Sequence, residues 1–100
     1  MRRVRVLWTR PALEELKRIA LYIRADNPPA ARRFAAAIRK KSARLALLPQ
    51  IGRAVPEFPG SGLRELLHGD YRINYRLHPD RVAILSVYHG QRLLDREPRA

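Results

Sequence analysis

The spacing of apolar residues near the N-terminus predicts a strand followed by a helix. Every second position is apolar at Val4, Val6 and Trp8, which is the period of a β-strand. Over about residues 10–25 the apolar positions fall three and four apart, the period of an α-helix with one buried face. These positions are Leu13, Leu16, Ile19, Ala20 and Ile23. Thr9 can cap this helix with its side-chain oxygen, and Pro11 fits the first turn.

A second helix is predicted after Asp26, where Asn27 can act as the cap and two prolines fit the first turn. Its apolar stripe is again spaced three and four residues apart and has one charged member. The stripe consists of Ala31, Phe34, Ile38, Lys41, Leu45 and Leu48. Because this spacing is the packing seam of neighbouring helices, we expect the two helices to form an antiparallel hairpin.

The second half of the chain predicts a long connection and three strands. Residues 49–62 are rich in proline and glycine, so we expect no regular element there. Strand-forming runs follow at Leu63–Leu67, Tyr71–Leu77 and Arg81–His89, with turn-forming residues between them. The simplest arrangement is a three-stranded antiparallel meander. The predicted fold class is α+β: an N-terminal strand, a two-helix hairpin covering one sheet face, then the meander.

Alternation along the strands predicts one packed face and one polar face of the sheet. In the middle strand the packed face carries Tyr71, Ile73, Tyr75 and Leu77, and the polar face carries Arg72, Asn74 and Arg76. The arginines of the polar face are either solvated or paired with Glu57 or Glu65. The last strand is apolar on both faces over most of residues 82–88, which favours a central position covered on both sides.

The chain is strongly basic, with 21 Lys and Arg against 9 Asp and Glu and a net charge of +12. The second helix carries its cations opposite the apolar stripe, at Arg32, Arg33, Arg39, Lys40 and Arg44. Residues 27–48 contain no acidic side chain. Such a charge implies an acidic or polyanionic partner. A nucleic-acid-binding module that uses this helix is one hypothesis, and a merely solvated basic face is the ordinary alternative.

Length and composition exclude several other classes of protein. With 100 residues and 46% hydrophobic content, residues 1–100 are expected to form a single domain. No run is apolar enough to span a membrane, and the basic N-terminus is unlike a signal peptide, so we expect a cytoplasmic protein. Because the chain has no cysteine and only three scattered histidines, we expect no disulfide, no metal and no cofactor.

Five segments of the sequence together resemble one known family. They are Trp8–Leu16, Leu48–Arg53, Leu63–Leu66, Tyr71–Arg76 and Ile84–Arg92. In this order they are similar to the RelE/ParE superfamily of toxins from bacterial type II toxin–antitoxin systems. The likeness covers nearly the whole chain and implies the same α+β fold. It also implies a cognate antitoxin, bound in a hetero-oligomeric complex.

The superfamily has two branches with different activities. RelE-like members are ribosome-dependent nucleases that cut messenger RNA, whereas ParE-like members have no known hydrolytic activity and poison DNA gyrase. No lysine follows Lys41, and His89 begins a His-Gly-x-Arg segment with eleven residues after His89. This ending and the long helical hairpin resemble the ParE-like branch. We therefore expect a gyrase inhibitor without catalytic residues; the alternative is a nuclease that acts on the ribosome and mRNA.

The resemblance also implies roles for individual residues. A nuclease needs a base, a cation and an acid around the scissile phosphate, and for that alternative the candidates are Arg64, Arg72 and His89. A gyrase-binding surface is expected from Arg64, Arg72, Arg76, His89 and Arg92. Antitoxin-binding residues are expected on the helices, at Leu16, Ile23, Phe34 and Ile38. We expect the target-binding arginines to lie at the surface, so that replacing Arg72 or Arg92 changes stability little.

Overall fold

The computed structural model describes residues 3–90, which form a five-stranded sheet and a helical hairpin. The strands are β1 (Arg5–Trp8), β2 (Arg53–Ala54), β3 (Leu63–His68), β4 (Tyr71–Leu77) and β5 (Arg81–His89). Their order across the sheet is β1-β5-β4-β3-β2. The predicted antiparallel meander of β3, β4 and β5 is confirmed. β1 adds to it by pairing in parallel with β5.

The hairpin consists of α1 (Arg10–Asp26) and α2 (Pro28–Ala43), and a 3₁₀ turn at Arg44–Ala46 follows α2. The predicted pair of helices is confirmed. α2 ends before its apolar stripe does, because Leu48 lies beyond the 3₁₀ turn and is exposed. Within residues 3–90 no helix combines the length and the apolar character that a membrane crossing requires.

Local hydrogen bonds determine where both helices begin. The Thr9 side chain accepts a hydrogen bond from the Ala12 N–H at 3.3 Å, and the Asn27 side chain accepts one from the Ala30 N–H at 3.1 Å. Each bond satisfies one of the N–H groups that the first turn of a helix leaves without a partner. Both predicted caps are therefore confirmed.

The main core lies between the helices and the sheet. Its buried members come from α1, α2, the 3₁₀ turn, β4 and β5, and they are Ala12, Leu16, Ile38, Leu45, Ile73, Tyr75, Val82, Ile84 and Val87. Ile73 and Tyr75 belong to the strand face that alternation predicted to be packed. That prediction is confirmed, and this side is called the helix face below.

The opposite side of the sheet is buried as well, under the connection from residue 49 to residue 62. Val55 is buried and, with Phe58, packs on a second apolar cluster made of Leu63, Ala83 and Leu85. β5 is therefore covered on both sides and is not an edge strand, as predicted; its neighbours in the sheet are β1 and β4. The predicted polar face of β4 is the loop-covered side, and two of its side chains are buried: Asn74 is 0% exposed and Arg72 is 7% exposed. We call this side the loop face.

The connection also contributes a strand, which the sequence did not predict. Arg53 and Ala54 of β2 pair with Glu65 and Arg64 of β3. Proline and glycine on both sides keep this element short. It nevertheless fixes the register of the connection on the sheet, so that Glu57 is held above the loop face.

Candidate functional site

Arg72 is buried and lies between two carboxylates. Its Nη2 lies 2.6 Å from Oε1 of Glu57 and 2.7 Å from Oε1 of Glu65. The hydrogen bonds to Glu57, followed by those to Glu65, raise the pKa of Arg72 above its ordinary value. The expectation that Arg72 is a surface cation is therefore wrong: the chain supplies two carboxylates that bury and neutralise it.

The two carboxylates differ in their exposure. The side chain of Glu65 is 0% exposed and also accepts a hydrogen bond from Arg53 Nε at 2.8 Å. Glu57 comes from the connection and is partly exposed. Its hydrogen bond from Arg72 lowers the pKa of the Glu57 carboxyl. The four residues form a charge network, two cations against two anions, that ties the connection to β3 and β4.

Tyr88 lies beside this network on the loop face. The guanidinium carbon of Arg72 is 5.1 Å from the centre of the Tyr88 ring, and the Asn74 side-chain amide donates to the Tyr88 hydroxyl at 3.1 Å. Burial raises the pKa of Tyr88 to about 12. The phenol therefore keeps its proton at neutral pH and is far from the pKa that suits a general base.

Arg64 and Arg76 hold the connection in place from opposite sides of the sheet. Arg64 Nη1 donates to the carbonyl oxygens of Gln50 and Gly52, at 3.1 and 2.8 Å. Arg76 Nη1 donates to the carbonyl of Ser61 at 2.9 Å. Both side chains are partly exposed. Their guanidinium groups are thus engaged at the two ends of the connection.

His89 ends β5 and is the exposed end of a row of aromatic rings. Its ring contacts Tyr71 edge to face at 5.4 Å between centroids, and Tyr71 contacts Phe34 in the same way at 4.9 Å. An open cleft of about 390 Å³ lies beside this row, bounded by α1 residues that include Glu15 and Tyr22. Tyr22 is 80% exposed.

The sheet separates the three residues that a nuclease would need. Side chains directly opposite each other in an antiparallel pair share a face. Arg64 is opposite Tyr75, and His89 is opposite Tyr71, so both belong to the helix face, whereas Arg72 lies on the loop face. Because Tyr71 and Tyr75 are four positions apart, Arg64 and His89 are also offset by about 13 Å along the strands. Arg92 lies outside the described residues.

Two of the four predicted antitoxin-binding residues are core residues. Leu16 is 4% exposed and Ile38 is 0% exposed, so neither offers a surface to a partner, and for these two the prediction is wrong. Ile23 and Phe34 are partly buried. The apolar stripe of each helix marks the side chains that pack in the core. Its central members are already covered, because the hairpin packs on the sheet.

Among the described residues, the exposed large apolar side chains lie off those stripes, with the exceptions of Leu13 and Leu48. Four of them gather where α2 gives way to the connection and β3 runs beside it: Leu47, Leu48, Ile51 and Leu67, each 41–46% exposed. Ile51 and Leu67 border a cleft of about 170 Å³ whose rim also carries Lys41 and Arg44. Lys41 Nζ donates to the Leu67 carbonyl at 2.8 Å. Of these four residues, the sequence analysis singles out only Leu48, because it is the last member of the α2 stripe.

The described part of the chain brings together no three histidine or acidic side chains in a way that would hold a metal ion. The described residues do form a buried charge network, basic contacts around the connection, and an apolar cleft with a cationic rim.

Two solved structures share this fold. A chain of the chromosomal ParDE toxin–antitoxin system from P. aeruginosa matches with a TM-score of 0.76 and 20% identity, over 88% of this chain and 97% of that one. A chain of the toxin–antitoxin complex RelBE2 from Mycobacterium tuberculosis matches with a TM-score of 0.61 and 26% identity, over 87% and 98%. The predicted RelE/ParE-like α+β fold is confirmed.

The sequence defines the family more narrowly. A family model described as the ParE toxin of the type II toxin–antitoxin system parDE matches residues 6–94. The candidate toxin Y4kP of Sinorhizobium fredii is 42% identical over 94 residues, which are 90% of this chain and 92% of that protein. The chain therefore belongs to the ParE toxin family and is a toxin of a type II toxin–antitoxin system.

Proposed function

We propose that this toxin arrests growth by binding DNA gyrase and that a cognate antitoxin neutralises it. The observation that carries the choice of target is the pairing of Arg72 with Glu57 and Glu65. A nuclease of the alternative branch would use this arginine to stabilise charge on phosphate. Here two carboxylates already occupy it, and they would repel the phosphate.

The remaining groups also argue against RNA cleavage. Attack by a 2′-hydroxyl needs a base and an acid within hydrogen-bond reach of one phosphate. Arg64 and His89 are offset along the sheet, Arg72 lies on its other face, and the raised pKa of Tyr88 keeps its phenol protonated. The three residues predicted for a nuclease, Arg64, Arg72 and His89, are therefore not brought together around one phosphate, which supports an inhibitor that acts by binding.

Binding to an antitoxin is supported by the surface and by the relatives. Both structural relatives are named as parts of toxin–antitoxin assemblies. In this chain the apolar cleft at Ile51 and Leu67 has Lys41 and Arg44 on its rim. Apolar anchors in a pocket supply most of the affinity of an interface, and surrounding charge speeds association. The cleft therefore fits an antitoxin segment that carries apolar and acidic side chains. Ile23 and Phe34, which are partly buried on the helices, are proposed as further contacts of the antitoxin.

The target is tested by the order of events when the toxin is expressed in a bacterial host without an antitoxin. A gyrase inhibitor is expected to cause filamentation and a DNA-damage response while amino-acid incorporation continues. Immediate loss of protein synthesis with normal plasmid supercoiling would contradict the proposal and favour the ribosome-dependent nuclease.

The antitoxin surface is tested with two matched leucine variants. Leu67 and Leu13 are 46% and 44% exposed, but only Leu67 borders the cleft. Leu67→Ser is expected to weaken binding of the cognate antitoxin by at least about 10-fold, the size of a hot-spot loss. Leu13→Ser should leave that affinity unchanged. Equal affinity of both variants and the parent, measured by calorimetry, would exclude this cleft.

A further inference from the structure

α2 and the 3₁₀ turn present a row of exposed cations, of which only Arg44 also borders the proposed antitoxin cleft. The row, called the basic face below, consists of Arg32, Arg33, Arg39, Lys40 and Arg44, all of them exposed. No ion pair joins any of them to a carboxylate within residues 3–90. Since residues 27–48 lack acidic side chains altogether, the helix has no internal means of neutralising this charge.

The geometry of α2 concentrates these charges on one side. At about 100° per residue, the five side chains project within an arc of about 140°. Ala36 and Ala43 lie inside the same arc and are exposed, so the surface between the cations is shallow. From Arg32 to Arg44 the row extends over about 18 Å along the helix axis, at 1.5 Å per residue. The basic face is therefore a long, low strip of positive charge.

The composition of the strip indicates what it can bind. A protein partner would need large apolar anchors at the centre of the interface, and the strip offers only alanine. A lipid surface would need the apolar side of α2, but Ala31 and Ile38 bury that side in the protein. Single-stranded nucleic acid is bound by stacking bases on aromatic rings, and the one aromatic residue of α2, Phe34, points to Tyr71 and His68.

We propose that the basic face of α2 binds the phosphate backbone of a double-stranded nucleic acid without reading its sequence. A duplex presents one negative charge per about 1.7 Å of its axis, so a strip of this length lies along many phosphates at once. Guanidinium groups donate paired hydrogen bonds to phosphate oxygens. This inference goes beyond the proposed function, because it concerns the toxin alone and does not depend on the identity of its protein target.

The test is a titration of the purified full-length toxin with labelled duplexes of about 20 base pairs, followed by fluorescence anisotropy at several salt concentrations. With four or five phosphate contacts, the slope of log K against log salt is expected to be about −3.6 to −4.5. The double variant Arg32→Gln/Arg39→Gln should make that slope shallower by about 2 and weaken binding equally for unrelated sequences. Parallel titrations with DNA and RNA duplexes show which backbone is preferred.

The matched control removes the same charge from the other helix. Arg10→Gln/Lys17→Gln changes two exposed cations of α1 and should leave the slope unchanged. Circular dichroism verifies that both double variants fold. The proposal is overturned if both double variants lose affinity equally, if single strands bind more tightly than duplexes, or if no duplex binds at about 50 mM salt and ~100 μM toxin, the weak end of non-specific affinities.

Discussion

The backbone N–H of Gly52 donates a hydrogen bond of 2.9 Å to the hydroxyl of Tyr75, across 23 positions of sequence. The same hydroxyl donates to the Pro49 carbonyl at 2.9 Å. Position 52 has room for glycine only, because a Cβ there would lie 2.6 Å from the Tyr75 hydroxyl oxygen and 2.7 Å from the Glu65 carbonyl oxygen. One buried side chain of β4 thus positions the start of the connection that covers the loop face.

Removing the Tyr75 hydroxyl is expected to destabilise the fold. Tyr75→Phe leaves the Gly52 N–H without its buried partner, which costs about 1–3 kcal/mol. For a domain of this size that corresponds to a fall in Tm of several degrees or more. Thermal unfolding followed by circular dichroism measures it. Tyr22→Phe, at a side chain 80% exposed, is the control and should leave Tm unchanged; equal Tm values for both variants would contradict the role of Tyr75.

Replacing Arg72 is expected to cost far more than a surface substitution. Arg72→Met leaves the buried Glu65 and the partly buried Glu57 without their shared cation, and breaking such a pair costs about 3–5 kcal/mol. Urea unfolding gives the loss directly. Arg53→Met removes an arginine whose side chain is 56% exposed and should cost about 1 kcal/mol or less. A similar small loss for both variants would show that the network contributes little.

Acid should weaken the attachment of the connection. Arg72 lowers the folded-state pKa of Glu57 below its ordinary value of 4.5, so the unfolded chain takes up this proton first as pH falls. The contribution of Glu57 is therefore complete above about pH 4.5 and is lost as pH falls through the folded-state pKa. Urea midpoints measured from pH 6 to pH 3 should fall less steeply in Glu57→Gln than in the parent. Parallel pH profiles would contradict this assignment.

The elements of this fold were predictable because their signals are local. Thr9 and Asn27 cap helices within three residues of themselves, and the three meander strands follow from alternation and turn residues. The parallel pairing of β1 with β5 depends on residues 76 positions apart, and nothing near Val6 indicates its partner Val82.

The environment of Arg72 was harder to predict for a related physical reason. Alternation places Arg72 correctly, opposite Ile73 and on the same side as Asn74. Whether that side meets water depends on where residues 49–62 lie, and a segment rich in proline and glycine has no periodicity that fixes its position. Glu57 supplies the compensating charge from 15 positions away. The sequence allows Arg72 to pair with Glu57 or Glu65. That Arg72 is also buried is visible only in the structure.

His89 distinguishes the two branches of the superfamily at the level of one side chain. For a gyrase inhibitor, His89→Gln is nearly isosteric and should leave growth arrest intact, since no proton transfer is involved. A nuclease that used His89 as acid or base would lose about 100-fold or more in cleavage rate. The dose of inducer needed for growth arrest measures the difference, with equal protein levels verified by immunoblotting. Loss of toxicity in this variant would count against the binding mechanism.

The most direct measurement is a supercoiling assay with purified gyrase, relaxed plasmid and the purified toxin, run beside an in vitro translation reaction that is scored for cuts in the mRNA. The account predicts that the toxin inhibits supercoiling, traps cleaved plasmid on gyrase and leaves the mRNA intact, and that prior mixing with the antitoxin abolishes the inhibition. Cut mRNA together with unimpaired supercoiling would contradict the account and assign this ParE-family chain to ribosome-dependent RNA cleavage.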